Sequence, residues 1–131
     1  MKAITGTDED GNPRDGRFKQ RFKNGNLACE GEFDHGSKTG DWRYYLADGS
    51  LKAEGKCKDD KLIDEWRWYR ANGALVQTGA FDADEQKDGE WQRFHENGQL
   101  WDSGTYKTGK KTGVWETYEP NGTLKSRKDY G

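Results

Sequence analysis

One register recurs along the chain and limits what it can become. Gly16, Gly40, Asp64, Gly89 and Gly113 open successive copies of a unit, at steps of 24, 24, 25 and 24 residues. Two residues after each opening stand Phe18, Trp42, Trp66, Trp91 and Trp115, and a second aromatic follows at Tyr45, Tyr69, Phe94 and Tyr118. Nine residues after each opening stand Gly25, Gly49, Gly73, Gly98 and Gly122, preceded by Asn24, Asp48, Asn72, Asn97 and Asn121. Leu27, Leu51, Leu75, Leu100 and Leu124 come next, then Gly31, Gly55, Gly79 and Gly104, then Phe33, Cys57, Phe81 and Tyr106. In the last copy Lys128 replaces that glycine and Tyr130 follows it.

Asn-Gly or Asp-Gly between short aromatic runs is a strong hairpin signal and predicts a type I′ turn, in which both central residues take positive φ. Leu, Gly and aromatic share one parity, which predicts that they line one face of the returning strand. A glycine inside a strand predicts a bend or a ring lying over the backbone. A lone hairpin has no adequate core, so neighbouring units must stack. At about 4.8 Å per strand, each copy advances the array by about 10 Å. The predicted fold is all-β: an elongated, single-layer, twisted antiparallel meander of about five stacked 24-residue hairpins. It forms one repeat domain over residues 1–131, with repeats at 16–39, 40–63, 64–88 and 89–112 and a C-terminal repeat at 113–131. Residues 1–15 read as a half-repeat, in which Ala3-Ile4-Thr5-Gly6 ends a returning strand and Asp8 to Asp15 is its loop.

Composition bears on how such an array holds together. Hydrophobic residues are 30% and charged residues 35% of the chain, which by hydropathy alone leans toward disorder. Six Trp, six Tyr and five Phe at fixed intervals argue the other way, because large rings bury much area per residue. A thin, aromatic core is expected. The formal charge of -2 provides no field for nucleic acid. Base nonetheless gathers at Lys107 to Lys111 and Lys125 to Lys128, and acid at Asp82 to Asp88. Cys29 and Cys57 occupy non-equivalent places without a CxxC spacing, which fits a reduced, cytoplasmic protein. Met1 to Gly6 leads into acid and not into a signal-peptide core.

No catalytic constellation is expected. His35 and His95 lie in no HxxxH or HExxH spacing, the serines lie in no nucleophile-elbow context, and the glycines recur with the turns. No catalytic, cofactor or metal residue is therefore assigned. A binding surface is sought where the repeat breaks. Columns that keep one residue type in every copy need only a structural explanation. Four residues after each opening, by contrast, come Gln20, Tyr44, Trp68, Arg93 and Thr117, and the middle three are types enriched at interface hot spots. Trp101 breaks a column otherwise holding Ala28, Lys52, Val76 and Lys125. Arg70 and His95 are placed to rim the patch. The candidate partner-binding residues are thus Tyr44, Trp68, Arg70, Arg93, His95 and Trp101.

The pattern G-x-W-x-x-Y-x-x-N-G-x-L, followed by G-x-Y and a polar G-K-x-x-G loop, resembles the MORN-repeat variant of bacterial proteins, with Gly113 to Leu124 the nearest match. The resemblance runs from Gly16 to Tyr130, with departures at Phe18, at Arg21-Phe22 and at Asp64. It implies a non-catalytic protein-binding module, most concretely an antitoxin or immunity-type protein that occludes a cognate toxin or effector. The alternative is a scaffold that self-associates through its exposed terminal edges or docks on anionic membrane lipid through the Lys107 to Lys111 and Lys125 to Lys128 end. Nucleic-acid binding ranks below both.

Overall fold

The computed structural model describes residues 5–131 as ten β-strands in one open, all-antiparallel sheet whose spatial order is the order of the sequence. The strands pair as five hairpins: β1 (Gly16–Arg21) with β2 (Leu27–Asp34), β3 (Ser37–Tyr45) with β4 (Leu51–Lys58), and β5 (Lys61–Tyr69) with β6 (Leu75–Phe81). The last two are β7 (Gly89–Phe94) with β8 (Leu100–Lys107), and β9 (Lys110–Tyr118) with β10 (Leu124–Asp129). The expected single-layer hairpin meander is the observed fold. The N-terminal returning-strand segment lies partly outside the described residues. From Thr5 onward it forms no strand of the sheet, and its loop is closed by a bridge between Thr7 and Pro13.

The turns are not type I′. In each hairpin the turn glycine has positive φ, for example 90° at Gly25 and 87° at Gly98, but none of the preceding Asn or Asp residues does. Gly25 N–H donates to the Phe22 carbonyl, and Phe22 N–H to the Asn26 carbonyl. This is the three-residue loop in which a type I turn is followed by a left-handed glycine. The Asn is selected for its side chain instead. Asn24 Oδ1 accepts from Asn26 N–H at 2.9 Å, and the same bond recurs at Asp48, Asn72, Asn97 and Asn121.

Each turn is followed by a β-bulge, which corrects the expected parity of the returning strand. Tyr44 pairs with Ala53 and Tyr45 with Leu51, so Lys52 is the extra residue. The same shift recurs in the other four hairpins. Directly paired residues share a face, and Tyr44 and Tyr45 alternate. The bulge therefore moves the leucine column to the side of Tyr45, away from the strand glycine and the aromatic that follows it.

A second irregularity sits at the openings. Gly16, Gly40, Gly89 and Gly113 all have positive φ, and Asp64 takes the same region at 56°. The kink aims the next tryptophan back over the glycine of the preceding hairpin. A Cβ built on Gly31, Gly55, Gly79 or Gly104 would lie 2.0–2.2 Å from the nearest ring atom of Trp42, Trp66, Trp91 or Trp115. The indole then hydrogen-bonds the same backbone. Trp66 Nε1–H donates to Lys56 O at 2.8 Å, Trp91 Nε1–H to Ala80 O at 3.0 Å and Trp115 Nε1–H to Thr105 O at 3.2 Å. Opening tryptophan and strand glycine are thus two halves of one contact between successive hairpins, and the four tryptophans are the largest part of the buried core.

Candidate functional site

The two faces of the sheet differ in chemistry. The face bearing Tyr45 and Tyr69 is ionic: Arg43 approaches Glu30 and Glu54, Arg67 pairs with Glu65, and the tyrosine hydroxyls donate to Glu30 at 3.2 Å and Glu54 at 2.6 Å. A basin of about 410 Å³ lies there between Arg43, Lys56, Arg67 and the carboxylates of Asp41, Glu54, Asp64 and Glu65. Its charges are close to balanced, which disfavours strong attraction of either sign.

The opposite face carries the opening tryptophans and the rings packed on them. The residue two places after each opening tryptophan shares its side, so Tyr44 stacks on Trp42 at 6.0 Å and reaches Trp66 at 6.3 Å. Trp68 likewise lies between Trp66, at 6.2 Å, and Trp91, at 5.7 Å. Two of the candidate site residues, Tyr44 and Trp68, are therefore half-buried members of one stack running Trp42–Tyr44–Trp66–Trp68–Trp91. Desolvation holds the Tyr44 phenol above its usual pKa, and Lys38 Nζ–H donates to its hydroxyl at 3.1 Å.

Arg93 occupies the next place in that series and changes it. It pairs across the hairpin with Asp102, which is buried, and makes a fork of hydrogen bonds to both carboxylate oxygens at 3.0, 3.1 and 2.5 Å. This contact holds the guanidinium more firmly protonated. Its carbon lies 4.1 Å from the centroid of Trp101, and His95 stacks on Trp101 at 5.2 Å and 21°. Trp101 is the bulge residue of its hairpin, which explains how a strand position can present an indole flanked by Arg93 and His95. It remains 39% exposed. His95 Nε2 must carry a proton, since it donates to Tyr118 O at 2.8 Å. Arg70 makes the equivalent bond one hairpin earlier, from Nη2 to Phe94 O at 3.0 Å. The structure brings Arg93, His95 and Trp101 together, leaves Arg70 as a tie between hairpins, and sets Tyr44 and Trp68 along the same face as the stack leading to them.

Two elements of this surface escaped the reading by columns. Asp102 lies in a column holding Cys29, Ala53, Gln77 and Ser126, and its role shows only once the register pairs it with Arg93. The other element is a basic column two residues before each opening: Arg14, Lys38, Lys87 and Lys111, with Leu62 in the third hairpin. These cations lie over Phe18 at 4.7 Å, Trp42 at 5.1 Å, Trp91 at 4.7 Å and Trp115 at 4.7 Å. Their spacing was visible in the sequence.

The nearest approach to a metal-ligand set among the described residues is Asp15, Asp34 and His35, all exposed. The His35 backbone N–H already donates to Asp15, at 3.4 Å, and its ring to Asp34 at 2.5 Å. This places the cluster as a loop tie between β2 and the segment before β1.

Fold and surface together define a β-hairpin repeat protein with one ionic and one aromatic face. Residues 14–35, 87–108 and 111–130 match the MORN repeat variant family, so the first, fourth and fifth hairpins carry the match. Each matched segment begins on the cation that covers the opening aromatic. Repeats of this type are generally protein- or membrane-binding modules. No curated protein matches the chain.

Proposed function

We propose that this chain is a cytoplasmic, non-catalytic protein-binding module, and specifically an antitoxin or immunity-type protein that neutralises a cognate toxin or effector by stoichiometric occlusion. The observation that carries the binding reading is Trp101: an exposed indole raised on a bulge and fixed between Arg93 and His95. Such rigid aromatic anchors lose little freedom on binding and are the side chains that dominate interfaces. Tyr44 and Trp68 extend the same face, and Arg70 braces it from the preceding hairpin. The toxin-directed reading rests on the family resemblance.

The test is capture of partner from native extract on wild-type protein and on folded Trp101→Ala and His95→Ala variants, followed by co-expression. The expected result is a 1:1 partner lost with Trp101 and harmful to growth unless this chain is co-expressed. Equal capture by the Trp101→Ala variant would contradict the placement of the site, and a harmless partner would contradict the antitoxin reading.

A second reading, docking on anionic lipid, has its own observation: Tyr130 is exposed and lies under both Lys111 and Lys128, at 5.4 and 4.8 Å. Lipid-dependent pelleting with anionic vesicles that fades with salt would support it, and no pelleting at low salt would remove it.

A further inference from the structure

Comparison of one hairpin with the next shows a place in the ring stack built differently from its equivalents. Between Trp42 and Trp66 the intervening place is filled by Tyr44, and between Trp66 and Trp91 by Trp68. Between Trp91 and Trp115 the equivalent residue is Arg93, drawn aside by Asp102 and Trp101. A cavity of about 310 Å³ lies there, walled by Trp91, Trp115 and Tyr106 and edged by Lys87, Arg93 and Lys111. Three cations around it face the single carboxylate of Asp102.

We infer that this slot receives a tyrosine side chain of the protein partner, flanked in the partner's sequence by carboxylates. The inference rests on the protein-binding reading above and names what the partner presents. The second hairpin supplies the template. There the chain's own Tyr44 lies between two opening tryptophans, with Lys38 donating to its hydroxyl at 3.1 Å. Lys87 stands in the Lys38 column, two residues before the fourth opening, so an incoming phenol finds both the ring walls and the donor. The flanking acid follows from charge. Lys87 Nζ lies over Trp91 and Tyr106, and Lys111 Nζ over Trp115. Lys38 stays 5.1 Å over Trp42 with Tyr44 in place, so Lys87 and Lys111 remain at the rim around an entering ring, where carboxylates beside it in the partner complement them.

The probe is a blocked Asp-Tyr-Glu peptide, titrated into the full chain while the indole N–H resonances of Trp91 and Trp115 are followed by NMR. The expected result is saturable shifts at these two indoles with an affinity of about 1 mM, weakened by about tenfold or more when Asp-Ala-Glu or Lys-Tyr-Lys replaces the peptide. The double variant Arg93→Tyr with Asp102→Ala copies the Tyr44–Ala53 pair of the second hairpin into the fourth. It fills the slot from within and is expected to abolish the shifts. A second variant, Lys87→Gln, keeps the slot open and is expected to weaken the peptide. Unmoved indoles in the wild type, or equal shifts with the alanine peptide or in the double variant, would overturn the inference. His95→Ala separates the two readings: His95 is no part of the slot wall and Arg93 stays on Asp102, so it should leave this titration unchanged while weakening partner capture. A failed titration beside Trp101-dependent capture would sink the slot alone.

Discussion

Asp64 carries the opening kink without a glycine, at a φ of 56° where L side chains are strained. Asp64→Gly is expected to raise stability by about 0.5–1 kcal/mol, measured by denaturant unfolding; an unchanged midpoint would show that the aspartate tolerates the kink freely. The strand glycines answer to a different demand. An added methyl at Gly79 meets the Trp91 ring at 2.0 Å, so Gly79→Ala should cost about 1–3 kcal/mol, whereas the turn glycines meet nothing that close. His35 is the residue with a pH signature. Its hydrogen bond to Asp34 raises its pKa above 6.5, so the stabilisation is complete below pH 6.5 and is lost as pH rises through the raised folded value. An NMR titration should place the His35 midpoint above 6.5, and Asp34→Asn should return it toward that value.

At the scale of the hairpin, the turn and bulge work as one device. Asn97 accepts from Gln99 N–H at 2.9 Å and donates to Pro120 O, at 2.7 Å, in the next hairpin. Asn97→Ala removes both bonds and should cost about 1–2 kcal/mol in thermal or denaturant unfolding. The repetition of Asn-Gly, Trp and strand Gly, each in four of five copies, made the hairpins legible, because turn chemistry and ring-over-glycine packing act between residues at fixed spacing. The turn type and the leucine face were not legible. Asn serves a type I turn through its side chain as readily as a type I′ turn through its backbone, and a bulge that inverts parity leaves no mark in a parity count. Cys57 shows the same limit. It takes the place of a ring in β4, the returning strand of the second hairpin, and burial pushes its thiol up to about 11. It should therefore react with alkylating reagents at neutral pH only as fast as the array opens.

Among the described residues each hairpin pairs only with its sequence neighbours, so the core is a line and not a centre. Each opening tryptophan closes the joint with the hairpin before it, and Tyr44 and Trp68 close the joint after. This is why the aperiodic aromatics, expected from sequence to mark a binding site, divide into two groups in space. Tyr44 fills the stack beside Cys57 and Trp68 fills it beside Phe81, and Arg93, His95 and Trp101 gather where the stack is interrupted. Only the register, through Asp102, distinguishes them. The most direct test is an alanine series at Tyr44, Trp68, Arg93 and Trp101, with unfolding free energy and partner affinity measured on the same samples. The expected outcome is that Tyr44→Ala and Trp68→Ala mainly lose stability, by about 3–5 kcal/mol, while Trp101→Ala keeps its stability and loses at least about tenfold in affinity. Unchanged affinity in Trp101→Ala, with affinity lost at Tyr44 or Trp68 in folded protein, would contradict it.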